Sequence, residues 1–223
     1  GGVAGGVLAL AFYLRVLRLP RWRFRWMAWK RLLVLGAPLA VADLCHGVIM
    51  RLDLLAVGMR YGAQSAGWYG SASALLWASN LVAGSMALAL VPVAASRGEG
   101  AEALSGRVLG WMVAVATLLA TALSLGAHLW VPLLFGEDYT PAVEVLHVLA
   151  WCLIPASVVA WGNAVLLVRG HQRRVGIVAA GGLLGLALCL WWWLPRGLLG
   201  ASGAQLAAQC GMATALWWWT RRP

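Results

Sequence analysis

Acidic side chains are scarce: seven Asp and Glu stand against 17 Lys and Arg in 223 residues. Charged residues together make up 11% and hydrophobic residues 62%, whereas a soluble domain carries about 25% charge. With a mean hydropathy of +0.81, this composition excludes an ordinary water-soluble domain and points to a chain that crosses a membrane repeatedly. Cysteine is also sparse. Cys45, Cys152, Cys189 and Cys210 lie far apart in apolar runs, with no C-x-x-C pair and no His/Cys cluster, so neither a zinc site nor a disulfide framework is indicated.

Enzyme signatures are missing as well. The chain has no Walker or dinucleotide glycine loop, no G-x-S-x-G and no His-Glu-x-x-His. His128, His147 and His171 stand singly near the ends of apolar runs. The connections between runs are short, leaving little room for extramembrane catalytic loops, so no enzymatic activity, metal or cofactor is expected. The net charge of +10 would suggest nucleic acid in a soluble chain. Here its distribution favours membrane topology, and no nucleic-acid partner is expected. The first residue, Gly1, sits inside an apolar run with no initiator Met and no positively charged start. A signal peptide would require that start, so further residues are expected upstream.

What is present is a series of seven apolar runs: Gly1 to Leu14, Leu32 to Met59, Gly67 to Ala95, Val108 to Trp130, Ala142 to Val168, Val175 to Leu194 and Ala204 to Trp219. The second, at roughly 1.5 Å per residue, makes about 42 Å of helix against a hydrocarbon core of about 30 Å. Basic residues follow alternate runs. They cluster at Arg15 to Arg31, at Arg97 and Arg107, at Arg169, Arg173 and Arg174, and at Arg221 and Arg222, accounting for 14 of the 17. A chain weaving back and forth puts all of these on one side. Loops rich in Lys and Arg stay cytoplasmic, which predicts that the linker at 15–31 and the C-terminus lie inside. Trp22, Trp26, Trp29, Trp191 to Trp193 and Trp217 to Trp219 fit an aromatic belt at headgroup level. The Arg/aromatic alternation before Arg31 suits either a solvated connector or a short amphipathic helix on the inner leaflet. Pro38, Pro92, Pro132 and Pro155 are expected to kink or end helices. Gly58-x-x-x-Gly62 and Gly181-x-x-x-Gly185 are spacings that permit close helix approach.

The residues most able to carry function are ionisable or amide groups inside the runs. Such groups cost at least about 2.5 kcal/mol each on insertion scales, so they face a partner helix or a polar path. Asp43, His46, Arg51 and Asp53 share the second run, Asn80 lies in the third and Asn163 in the fifth. At 100° per residue, Asp43, His46 and Asp53 fall within about 80° of one another, and Arg51 points about 160° from Asp53. Arg51 and Asp53 therefore cannot pair along the helix. Asp43 and His46 are expected to line a central cavity, with Arg51 meeting an anionic group or a carboxylate from outside the chain. The bland alternatives are charge-satisfied helix contacts, outward snorkelling of Arg51 and Asp53, and helix-gluing hydrogen bonds at Asn80, Asn163, Gln205 and Gln209.

The order Gly36-Ala37-Pro38, Arg51-Leu52-Asp53-Leu54-Leu55, Gly67-Trp68-Tyr69-Gly70-Ser71-Ala72, Val91-Pro92-Val93-Ala94-Ala95-Ser96-Arg97, Leu134-Phe135-Gly136-Glu137-Asp138-Tyr139-Thr140-Pro141-Ala142 and Gly200-Ala201-Ser202-Gly203-Ala204 resembles the second half of a Wzx-type polysaccharide-biosynthesis flippase, within the superfamily that holds the multidrug and toxin extrusion (MATE) transporters and lipid II flippases. The resemblance implies an all-α polytopic membrane helix bundle: one six-helix lobe of a two-lobe transporter plus the last helix of the preceding lobe. Residues 1–19 would be that last helix, 20–31 a basic cytoplasmic linker and 32–223 the six-helix lobe. It also implies a bacterial cytoplasmic membrane, a polyprenyl-pyrophosphate-linked oligosaccharide as substrate, membrane lipids and an N-terminal lobe of the same protein as partners, and alternating access as mechanism. By that analogy Arg51 would contact the anion and Asp43 would couple to H+ or Na+. A cation-coupled drug exporter, a lipid II flippase and a non-transporting scaffold of a glycan-assembly complex are the competing expectations.

Overall fold

The computed structural model describes residues 26–96 and 101–221. The first apolar run, most of the basic linker, Trp22, Arg97 and Arg222 lie outside the described residues. The chain divides into two units, Gly1–Gly36 and Ala37–Pro223. In the first, the described residues are helical. The second is built from helices, with no strand among the described residues.

The run Trp26–Ser96 is helical throughout except at Gly62, which divides it into α1 (26–61) and α2 (63–96). Then follow α3 (Ala101–Leu125), α4 (Ala127–Phe135), α5 (Ala142–Leu149), α6 (Leu153–Val168), α7 (Gln172–Trp193) and α8 (Leu198–Thr220), with single 3₁₀ turns at Glu137–Tyr139, Ala150–Cys152 and Leu194–Arg196. Three stretches, Gly106–Leu125, Ala142–Val168 and Gln172–Arg196, are long and apolar enough to cross a membrane. Exposed Leu118 and Leu125 on the first, Trp151 on the second and Leu184 and Leu188 on the third lie on their outward faces, as expected where lipid rather than water is the neighbour.

The apolar run from Ala142 to Val168 is not one uniform helix. Pro155 cannot donate to the carbonyl four residues back, and its ring crowds that carbonyl. That carbonyl belongs to Trp151, and Ala150–Cys152 is where the α-helical pattern tightens to 3₁₀. Between the second and third apolar runs, residues 60–66 do not form a loop but a break of one residue: Gly62 has φ 84° and ψ 177°. That conformation is open essentially only to glycine and costs other residues about 1–3 kcal/mol. Gly62→Ala is therefore expected to destabilise the α1–α2 hairpin by that amount, read as a lower melting temperature of the detergent-solubilised chain. An unchanged melting temperature would show that the turn has another conformation open to it.

Hydrogen bonds identify the two ends of the bundle. At one, the Tyr61 hydroxyl donates to Leu194 O at 2.6 Å and accepts from Gly197 N–H at 3.2 Å. Trp68 Nε1 donates to Asp138 O at 3.0 Å at the same end. At the other end Arg169 Nη1 donates to Thr220 O at 2.8 Å, and a Cβ on Gly176 would come within 3.1 Å of Pro38 O. The passes thus alternate in direction, as the charge pattern requires.

Close approach in the core depends on glycines other than those the spacing suggested. Gly181 and Gly185 have open space around them. Gly182 is the packing residue: it sits in the buried stripe Val175, Gly182, Leu186, Leu190 of α7, and a Cβ there would collide with Met212 of α8. On α6, a Cβ at Gly162 would lie 2.9 Å from Leu216 Cβ. Helix α8, buried along Ala201, Ala204, Ala208, Met212 and Leu216, is the central element against which α5, α6 and α7 pack.

Candidate functional site

Helix α1 turns Ala42, Ile49, Asp53 and Val57 inward, at spacings of seven, four and four residues. Beside that stripe, Asp43 and His46 line a cavity of about 150 Å³ with Leu39 of α1, Val159 and Asn163 of α6, Val175 and Val178 of α7, and Met212 and Leu216 of α8. Three of the six polar groups expected from the sequence are thus brought together. The i, i+3 spacing stacks Asp43 and His46 on one face, and Asn163 approaches from α6. Asp43 and His46 are exposed on this chain and Asn163 is half-buried, so the cavity opens sideways from the bundle. No hydrogen bond or ion pair among the described residues engages the Asp43 side chain.

Asp53 is placed differently. Ten residues beyond Asp43, it lies about 15 Å further along α1, where α2 replaces α6 and α7 as the neighbour. It is 5% exposed, and Tyr69, fully buried, donates its hydroxyl to Asp53 Oδ2 at 2.8 Å. Leu54 N–H donates to Oδ1, also at 2.8 Å. Asp53 does not reach outer water; it is bonded across the α1–α2 hairpin. Tyr69 is the partner that sequence reasoning missed. The signal was available: Asp53 and Tyr69 lie nine and seven residues either side of Gly62, so a hairpin pivoting there apposes them.

Arg51, on the far side of α1, lines a separate groove of about 440 Å³ with Met50, Leu54, Gly70, Ser73 and Trp77. Its side chain is exposed and has no ion-pair partner among the described residues. Arg51 and Asp43 therefore open to different sides of α1, as the helical angles require. Asn80 is half-buried on α2 and lines neither cavity. Gln205 and Gln209, 2% and 4% exposed, share the buried face of α8, and neither side-chain oxygen has a hydrogen-bond partner among the described residues.

Two histidines read as isolated are neighbours in space. The rings of His128 and His147 meet edge to face with centroids 5.6 Å apart. His147 Nδ1 also lies 3.1 Å from Ser124 Oγ. Among the described residues no group of three or more His, Cys, Asp or Glu side chains is assembled to hold a metal. All four cysteines are free thiols.

A crystal structure of MATE in the bent conformation superimposes with a TM-score of 0.66 at 18% identity, covering 85% of this chain and 44% of that one. The chain has that fold, an all-α membrane helix bundle, and spans less than half the length of the protein it matches. No curated protein matches the sequence. Over residues 3–144, however, it matches the family model described as Polysaccharide biosynthesis protein, and since that is more than half of the sequence, the chain belongs to that family.

Proposed function

We infer that this chain is part of a flippase that carries polyprenyl-pyrophosphate-linked oligosaccharide from the inner to the outer leaflet of a bacterial cytoplasmic membrane by alternating access. The observation that carries this reading is the sideways-open cavity holding Asp43, His46 and Asn163 in a transporter fold. A carboxylate at mid-membrane depth does not face lipid. Its exposure calls for a second wall, which a preceding lobe of the same protein would supply. Between two such walls, Asn163 offers amide donors and acceptors to sugar hydroxyls, His46 is a hydrogen-bonding group, and Asp43 is the candidate for H+ or Na+ coupling. Arg51, with its planar fork of N–H donors, matches a pyrophosphate. The family's part in polysaccharide biosynthesis favours a glycan precursor over a drug as cargo. The C-terminus is assigned to the inside from the basic clusters.

The test is export in cells. Arg51→Ala, at membrane levels equal to wild type, is expected to abolish delivery of the surface glycan, and Arg51→Lys to retain part of it, because a point charge survives but the bidentate fork does not. Unchanged export in Arg51→Ala would remove the role assigned to that residue. Drug efflux coupled to a cation gradient, with glycan delivery untouched by loss of the protein, would favour the drug-exporter reading instead.

A further inference from the structure

The side-chain bonds at the Tyr61 end of the bundle share a layout: each runs to the backbone of a turn that pivots on a glycine of positive φ. Tyr61, the last residue of α1, reaches the α7–α8 turn, where its hydroxyl donates to Leu194 O at 2.6 Å and accepts from Gly197 N–H at 3.2 Å. Trp68, on α2 beyond Gly62, donates Nε1–H to Asp138 O at 3.0 Å in the α4–α5 turn. Tyr139 adds a contact there, its Cε1 lying 4.0 Å from where a Cβ on Gly67 would be. The pivots have φ of 84° at Gly62, 95° at Gly136 and 89° at Gly197. A Cβ on any of the three would meet nothing within 4 Å. No neighbour packs on the pivots themselves, so the turns are free to move unless something ties them.

Both bonding side chains belong to the α1–α2 hairpin, one on each side of its turn, so the hairpin tip is tied to another turn on either flank. All these bonds are exposed. An exposed hydrogen bond competes with water and sits at the low end of local stability. Made through one hairpin, however, each tie positions the donor or acceptor of the other. Freeing Tyr61 lets the tip swing about Gly62, which moves α2 and draws Trp68 away from Asp138. We propose that Tyr61 and Trp68 form a clasp that makes the α1–α2, α4–α5 and α7–α8 turns one cooperative unit, opening and closing together at this end of the bundle. The clasp lies within this chain and stands whichever cargo is carried, so its failure and the failure of the transport reading are separable.

Hydrogen exchange reads each turn separately. The amides of Gly197, Gly200 and Ala201 are bonded within the α7–α8 turn and the start of α8, and those of Tyr139, Thr140 and Val143 within the α4–α5 turn. The test is exchange mass spectrometry of the full-length protein in nanodiscs, followed in peptides covering 194–201 and 136–143. Tyr61→Phe, which removes only the hydroxyl, is expected to quicken exchange about tenfold in both peptides, including the one that Tyr61 does not touch. Trp68→Phe, which removes the indole N–H, is expected to do the same to both. The α6–α7 turn at the opposite end, where the Arg169, Gly170 and His171 amides are bonded, is expected to keep wild-type exchange. Acceleration confined to the peptide that each side chain touches would show independent turns and overturn the proposal. So would equal acceleration at the α6–α7 turn, the mark of general loosening, or no change in either variant. If Tyr61→Phe does not fold, Trp68→Phe alone decides, through the 194–201 peptide.

Discussion

Tyr69→Phe is expected to lower the stability of the detergent-solubilised chain by about 1.5–3 kcal/mol, the range for a hydrogen bond to a charged group. The substitution removes one hydroxyl and leaves the ring, so packing is kept. What is lost is the donor to Asp53 Oδ2 at 2.8 Å, in a place where both residues are buried and water cannot substitute. Asp53→Ala should cost at least as much, because it leaves the buried Tyr69 hydroxyl without its acceptor and opens a small void. The double variant should cost less than the two single losses added together, the mark of groups that act on each other. Melting followed by the intrinsic fluorescence of the chain's tryptophans measures all three. If the double variant equals the sum, the contact is incidental and the hairpin is held by packing alone. Coupling between the two would place Asp53 in the scaffold that sets α1 against α2, while Asp43 lines the separate cavity with His46 and Asn163.

Asp43→Asn is expected to reduce export about 10- to 150-fold, the kinetic equivalent of losing one charge-assisted contact of about 1.5–3 kcal/mol, at unchanged membrane level. Asn keeps the size and the hydrogen-bonding oxygen and removes the charge and the titration, so it separates coupling from shape. Little structural cost is expected, because Asp43 is exposed on this chain and no described residue engages its side chain by hydrogen bond or ion pair. Asn163→Leu, which inserts a branched apolar side chain into a cavity of about 150 Å³, should impair export by a different route, by filling the space. Full export by both variants would mean that the cavity is not on the path.

The membrane bundle was legible from composition and run length, because a hydrocarbon solvent leaves helices as the simple way to satisfy the backbone. The alternation of basic clusters foretold the alternation of the passes, and Arg169 and Arg221 do meet at one end through the C-terminus of α8. The face shared by Asp43 and His46, and the opposite direction of Arg51, followed from helical angles alone. What depended on tertiary neighbours was not legible. Gly62 looks like a packing glycine by its spacing and is a turn by its dihedral angles. Gly182, one residue off the expected small-residue pair, is the glycine that α8 approaches, because the buried stripe of α7 runs through it. Asp53 shares an angular sector with Asp43 yet meets another helix, since angle says nothing of which neighbour is present at each depth. His128 and His147 were separate in sequence and were joined by the α4–α5 turn.

The central claim is that the Asp43, His46 and Asn163 cavity is a water-connected path that cargo enters. It is tested most directly by placing a cysteine at 163 in full-length protein whose Cys45, Cys152, Cys189 and Cys210 have been replaced, then treating right-side-out and inverted vesicles with a membrane-impermeant thiol reagent. The account predicts that Asn163→Cys is labelled and that lipid-linked oligosaccharide slows the labelling, while a cysteine at lipid-facing Leu184 stays unlabelled. If position 163 is unreactive from both sides, or reacts at a rate the lipid-linked oligosaccharide does not change, the cavity is not the path and the account is wrong.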